Sequence, residues 1–175
     1  MTDRVQGQPT PLVVEPFDAF YLREFRSVVK LAYALSGSQL AAEDIAQEAF
    51  LRAYRDWRRI GQFQRPEAWV RKVAVRLAGR VLHRRRLEAL AYGRLLVNQR
   101  PTVRQLPAAD ADVWRAVRRL PQRQAQVIAL YYAGDHPIAE VAEVLGLAEG
   151  TVKVLLHRGR HTLAERLTSR TEEQP

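Results

Sequence analysis

Residues 138–163, IAEVAEVLGLAEGTVKVLLHRGRHTL, constrain the fold more than any other stretch of the chain. Ile138, Val141, Ala142 and Leu145 recur at three- and four-residue spacing, which puts one apolar face on a short helix. Gly146 follows, a residue able to take the left-handed conformation that ends a helix. Leu147 then plugs the turn, and a second helix carries Val152, Leu155 or Leu156, and Leu163 inward. Ala142 is small enough for the two helices to cross closely. A short helix, a glycine turn and a longer amphipathic helix make up helix-turn-helix grammar. Its outward residues are Glu149, Thr151, Lys153, His157, Arg158, Arg160 and His161. Near the helix start, Thr151 and Lys153 suit base edges or nearby phosphates, whereas Arg158 and Arg160 suit the DNA backbone. The alternative is a small helical bundle with a basic, solvated face.

The rest of the chain is also helical, and no strand-like block competes. After Pro16, the residues Phe17, Phe20, Tyr21, Phe25, Val28, Val29 and Ala32 share one helical stripe until Gly37-Ser38 breaks it. A second helix begins near Leu40 and runs through Ile45, Phe50, Ala53, Tyr54 and Trp57, with Phe50 and Tyr54 expected mostly in the core. Ile60–Pro66 is a loop. Pro66 and Glu67 suit the first turn of a third helix bearing Trp69, Val73, Leu77 and Val81. Periodicity resumes at Asp110, and Pro121 opens a further helix with Val127, Ile128 and Leu130. The expected fold is therefore all-α, with two small helical domains joined by a flexible linker, the second containing the helix-turn-helix. The boundaries read as a tail at 1–15, a first domain at 16–89, a linker at 90–109, a second domain at 110–168 and a tail at 169–175.

Charge bears on partners. The formal net charge is +9, and 25 of the 28 basic residues are arginine, a planar fork matched to phosphates and carboxylates. Residues 17–86 hold fifteen basic and seven acidic side chains, whereas residues 111–175 hold nine and eight. The positive field is thus concentrated in the first half, ending in His83-Arg84-Arg85-Arg86, either a phosphate-facing cluster or a solvated helix end. Cysteine is absent, which removes disulfides, thiolate nucleophiles and cysteine-bound metals. No signal-peptide pattern and no apolar run of membrane-spanning length is present, so a cytoplasmic protein without membrane insertion is expected.

Two pairs of motifs resemble the extracytoplasmic-function group of bacterial sigma factors, over nearly the whole chain. AAEDIAQEAFLRAYRDW (41–57) is similar to the region 2 helix that docks on the clamp helices of RNA polymerase, and RPEAWVRKVAVRLAGRVLHRRR (65–86) to the following helix, which handles the minus-ten element. LPQRQAQVIALYY (120–132) and the helix-turn-helix segment (138–163) are similar to region 4, which reads the minus-thirty-five element. The resemblance implies core RNA polymerase and promoter DNA as partners, an anti-sigma factor as a further one, and no cofactor. It places polymerase contacts at Asp44, Gln47 and Glu48, within an acidic and amide cluster whose other reading is helix solubility. It places minus-ten contacts at Phe63, Arg65, Arg71, Arg76, Arg80, Arg84 and Arg85, and minus-thirty-five contacts at Glu149, Thr151, Lys153, Val154, His157, Arg158 and Arg160. Trp57, Phe63 and Trp69 are candidate aromatics for unpaired bases or core anchors, with Phe63, on the loop, the best placed of the three for DNA.

The match departs from the family at three places. Arg76 stands where the family usually has Asn, and Gly79-Arg80 where an acidic residue is frequent. TVKVLLHRGR replaces the common TVKSRLHRAR, so Val154 and Leu155 take the places of a small polar residue and an arginine. These aliphatics either meet thymine methyls or bury against a partner. The alternatives to a working sigma factor are a sigma-like protein acting through protein contacts and a helix-turn-helix regulator. Enzymatic chemistry is not expected: His83, His136, His157 and His161 are scattered, and there is no glycine-rich phosphate loop.

Overall fold

A computed structural model describes residues 14–91 and 108–172, and every regular element among them is a helix. The first bundle consists of α1 (Phe17–Ser36), α2 (Gln39–Arg55), the single turn α3 (Trp57–Ile60) and α4 (Pro66–Ala91). The second consists of α5 (Ala108–Val117), α6 (Gln122–Ile128) continued by a π-helical turn (Ala129–Ala133), α7 (Ile138–Leu145) and α8 (Glu149–Glu172).

Local chemistry sets most helix ends. Gly37 is left-handed at φ 70° and donates its N–H to Tyr33 O at 2.8 Å, closing α1. Ser38 is extended and accepts the Ala41 N–H on its hydroxyl at 3.4 Å, opening α2. Four boundaries shift. Residues 14–16 are tied to the bundle, since the Trp57 indole donates to Glu15 O at 3.1 Å and Glu15 pairs with Arg23 at 2.5 Å. Residues 90–91 still belong to α4 and 108–109 to α5, while 92–107, most of the expected linker, lie outside the described residues. Residues 169–172 continue α8 rather than forming a tail.

Phe20, Leu31, Phe50, Ile60 and Val70 fill the first bundle, and Leu120, Val127, Leu130, Val141 and Val152 the second. The two sets belong to one continuous apolar cluster, because the bundles pack on each other: α4 meets α7, and α1 meets α5 and the π-turn. Arg118 donates across the seam to Ala34 O at 3.2 Å. Gly79 faces the same seam. An added Cβ there would sit 2.5 Å from the Gln122 amide nitrogen. Its absence leaves room for the Gln122 side chain of α6 beside α4. No helix among the described residues is long and apolar enough to cross a membrane.

Candidate nucleic-acid and protein interfaces

The helix-turn-helix forms as its sequence pattern dictates. Gly146 is left-handed at φ 65° and ψ 44°, and Leu147, packed against the core, donates its N–H to Ala142 O at 2.9 Å. Val152, Leu156 and Leu163 are buried, which settles the choice between the adjacent leucines: Leu156 is fully inside and Leu155 only partly. Turned the other way, Glu149, Thr151, Lys153, Val154, His157, Arg158 and Arg160 are all exposed on α8. Val154, 48% exposed, is an apolar residue in the middle of that face. No carboxylate among the described residues pairs with Lys153, Arg158 or Arg160. Arg160 instead leans on the π-turn. Its Nε donates to Tyr132 Oη at 2.7 Å, and its guanidinium lies 5.5 and 5.4 Å from the Tyr131 and Tyr132 ring centres. Tyr132 carries no expectation from the sequence; the adjacent tyrosine pair is the only trace.

Around α4 the expected cations are mostly engaged. Arg65 makes three ion pairs: Nη2 to Glu140 Oε1 at 2.7 Å, Nη1 to Glu143 Oε2 at 2.9 Å, and Nε to Glu67 Oε1 at 3.3 Å. Two of these carboxylates come from α7, in the other bundle. Desolvation pulls the Arg65 pKa down, but its hydrogen bonds to Glu67 and Glu140 and the nearby carboxylate charges outweigh it and leave the group above its ordinary value. Arg71 is buried, with Nη2 on Glu24 Oε2 at 2.7 Å. It braces α4 against α1 and does not reach the surface shared by Arg76 and Arg80, both exposed. Arg84 is exposed and 3.5 Å from Glu88, and the Arg85 side chain lies outside the described residues. Phe63 stands on the loop with the Arg59 guanidinium 5.8 Å from its ring centre, whereas Trp57 and Trp69 pack against the core as anchors.

Behind Arg71, at the seam, sits His136. It is buried, and Nδ1 lies 3.1 Å from Glu140 Oε2. Its Nε2 and the Arg71 Nε are buried without a hydrogen-bond partner among the described residues. Burial lowers the His136 pKa, Arg71 and Arg65 lower it further, and Glu140 opposes them, so the imidazole is held neutral. No group of three or more His, Cys, Asp or Glu able to hold a metal occurs among the described residues.

On the first bundle, α1 and α2 form a groove of about 630 Å³ lined by Phe17, Tyr21, Leu51 and Tyr54 and rimmed by Asp18, Asp44, Gln47 and Glu48. Asp44 and Gln47 point to solvent, and Glu48 holds Arg52 at 2.7 Å. Tyr54 corrects an expectation. It is 61% exposed rather than core, while Phe50 is 2% exposed. Each four-residue step turns a helix position by about 40°. Phe50 already sits at the edge of the stripe formed by Ala42, Ala46, Ala49 and Ala53, so Tyr54 rotates onto the rim.

Comparison with known proteins agrees with both halves. Residues 20–94 match the model of sigma-70 region 2, and residues 110–163 that of sigma-70 region 4. The chain is 33% identical over 155 residues to the ECF RNA polymerase sigma factor SigM of Mycobacterium tuberculosis, covering 86% of this chain and 76% of that protein. It is 26% identical over 154 residues to the ECF RNA polymerase sigma factor SigW of Bacillus subtilis, covering 80% and 82%. The fold is similar to that of the sigma factor RpoE from Bartonella quintana, solved with the anti-sigma factor NepR, at TM-score 0.64 and 22% identity over 87% of this chain and 96% of that one. It is also similar to CnrH, solved with the cytosolic domain of CnrY, at TM-score 0.62 and 18% identity over 87% and 88%. The chain belongs to the extracytoplasmic-function group of the sigma-70 family, the sigma factors that direct RNA polymerase to promoters.

Proposed function

We propose a division of labour within this sigma factor. Residues 16–89 bind core RNA polymerase through Asp44, Gln47 and Glu48 and handle minus-ten DNA through Phe63, Arg76, Arg80 and Arg84. Residues 110–168 read the minus-thirty-five element through Thr151, Lys153, Val154, His157, Arg158 and Arg160. The observation that carries this reading is the presence of two unlike exposed surfaces on one chain. One is an acidic, aromatic-lined groove on α2. The other is an exposed cationic face at the start of α8 with no carboxylate among the described residues on Lys153 or Arg158. An acidic rim around apolar side chains suits a basic, amphipathic protein surface. A cationic helix face suits the phosphates and base edges of a major groove. Arg65 and Arg71 join the minus-ten set only if their carboxylate partners let go. Action in the cytoplasm, where polymerase and promoters reside, and restraint by an anti-sigma factor complete the reading. RpoE and CnrH, of similar fold, were each solved with a protein partner.

The test is transcription from genomic DNA by core polymerase plus the purified chain, with start sites mapped. Discrete starts behind a shared two-part element are expected. Stable polymerase binding with no starts would instead favour a protein acting through contacts alone, which the engagement of Arg65 and Arg71 makes a specific alternative.

A further inference from the structure

We propose that Tyr132 and Arg160 act together as one phosphate clamp at the wall of the groove that α8 enters, with Tyr132 both positioning Arg160 and contacting DNA itself. The inference rests on the reading of α8 as a DNA-binding helix and adds to it a residue outside that helix.

Arg160 differs from the arginines that carboxylates hold. Arg23, Arg52, Arg59, Arg65, Arg71, Arg84 and Arg115 each pair with a carboxylate, which neutralises the charge locally. Arg160 is held just as specifically, but by neutral groups: the Tyr132 hydroxyl at 2.7 Å and the two tyrosine rings. The side chain is therefore ordered while its whole charge remains available to an anion.

The donor count points the same way. Arg160 Nε–H donates to Tyr132 Oη, so the phenol's own hydrogen is left to give elsewhere, and the terminal guanidinium nitrogens keep theirs. Both sets of donors stand at an exposed edge, since Tyr132 is 50% exposed and Arg160 lies at the surface. Two adjacent donors, one cationic and one neutral, match a phosphate that offers several acceptor oxygens.

Position supplies the target. Lys153, His157 and Arg160 follow at i, i+4 and i+7, one flank of α8. By Arg160 the helix has risen roughly 16 Å from Glu149, beyond the ~12 Å width of a major groove. Cations there meet the phosphate wall rather than base edges. Tyr132 reaches that wall because α6 ends in a π-helical turn, in which Gly134 N–H bonds to Ala129 O at 3.0 Å. The wider turn presents Tyr131 and Tyr132 as an edge-to-face pair, ring centres 5.0 Å apart, toward Arg160.

The experiment measures binding of the full chain to a mixed-sequence DNA duplex across salt concentrations, starting from low salt, with circular dichroism checking the fold. Arg160→Ala is expected to reduce the slope of log affinity against log salt by about 0.9, the loss of one phosphate contact. Tyr132→Phe keeps the ring and every charge. It is expected to weaken binding roughly threefold to tenfold with the slope unchanged. Adding Tyr132→Phe to Arg160→Ala should cost much less than Tyr132→Phe alone, because the two groups act as a unit. Wild-type binding by Tyr132→Phe at every salt concentration, or full additivity with Arg160→Ala, would overturn the clamp. If Arg160→Ala keeps the slope while Lys153→Ala lowers it, the clamp fails and α8 remains a DNA helix. If neither lowers it, the reading of α8 falls as well.

Discussion

The two candidate DNA surfaces invert what their charges suggest. The first half carries fifteen basic against seven acidic side chains between residues 17 and 86, yet Arg65 and Arg71 are held by carboxylates, and Arg65 is gripped from the other bundle. The second half is nearly neutral, yet it leaves Lys153 and Arg158 on α8 without a carboxylate partner among the described residues and stacks Arg160 on tyrosines. Net charge thus measures the long-range field, while the contact a cation makes with DNA depends on what already holds it. One surface is ready in the folded chain. At Arg65 the other is covered, and α7, the first helix of the helix-turn-helix, does the covering.

The sharpest way to break this contrast is through Arg71. If it is a brace, Glu24→Gln strips a buried cation of its partner and should lower unfolding free energy by about 3 kcal/mol in chemical denaturation. The salt dependence of DNA binding by the variant, measured where it is still folded, should not change. Arg80→Gln, at an exposed and unpaired position, should do the reverse: unaltered stability and a shallower slope. A Glu24→Gln variant of full stability would show that Arg71 belongs with the DNA cations after all.

Next comes the grip on Arg65. The pairs with Glu140 and Glu143 are partly exposed, with carboxylate side chains 25% and 48% accessible, so their contribution to folding is no more than about 1 kcal/mol. Their consequence for geometry is larger. Glu140→Gln with Glu143→Gln should loosen the seam, read as lower energy transfer between dyes on cysteines introduced at Gln62 and Arg166. The chain has no native cysteine to take up label. The freed Arg65 should also steepen the salt dependence of DNA binding. Unchanged transfer at both low and high salt would mean that the seam holds without the Arg65 ion pairs.

His136 gives the same seam a pH dependence. Its pKa is lowered in the folded chain, so the unfolded or opened chain binds the extra proton more readily. The stabilisation is complete above the ordinary histidine range and is lost as pH falls through about 6.5 toward the lower folded value, at up to ~1.4 kcal/mol per pH unit. His136→Gln should flatten this part of the stability–pH curve. Energy transfer across the seam should fall over the same pH window.

What was legible in the sequence follows from the range of the interactions involved. Helix ends at Ser36, Pro66, Leu145 and Pro121 depend on caps and prolines within a few residues, and the apolar stripes of α7 and α8 depend on spacing alone. The face of α8 is legible for the same reason. Arg71 with Glu24, Arg65 with Glu143, and Arg160 with Tyr132 lie 47, 78 and 28 residues apart, and no local pattern marks them. Tyr54 shows a subtler limit. Its i+4 relation to Phe50 is real, but the width of the stripe, set by the neighbouring helix, decides which of the two is inside.

The smallest expected effect separates the two aliphatics that set this recognition helix apart from its family pattern. Leu155 packs partly against the core, so Leu155→Ala should cost stability without a specific effect on DNA. Val154, 48% exposed on the same turn, contributes little to the core, and water is a poor environment for its methyl groups. In a major groove the group that suits them is the thymine 5-methyl. Val154→Ala should therefore leave stability within about 0.5 kcal/mol and weaken binding to the mapped promoter element roughly threefold. The salt slope should not move, because no charge is lost. Replacing the facing thymine by uracil should reproduce the loss in the wild-type chain and add nothing to it in Val154→Ala. If the two losses add, Val154 does not touch that methyl, and its exposure on α8 serves a protein contact instead.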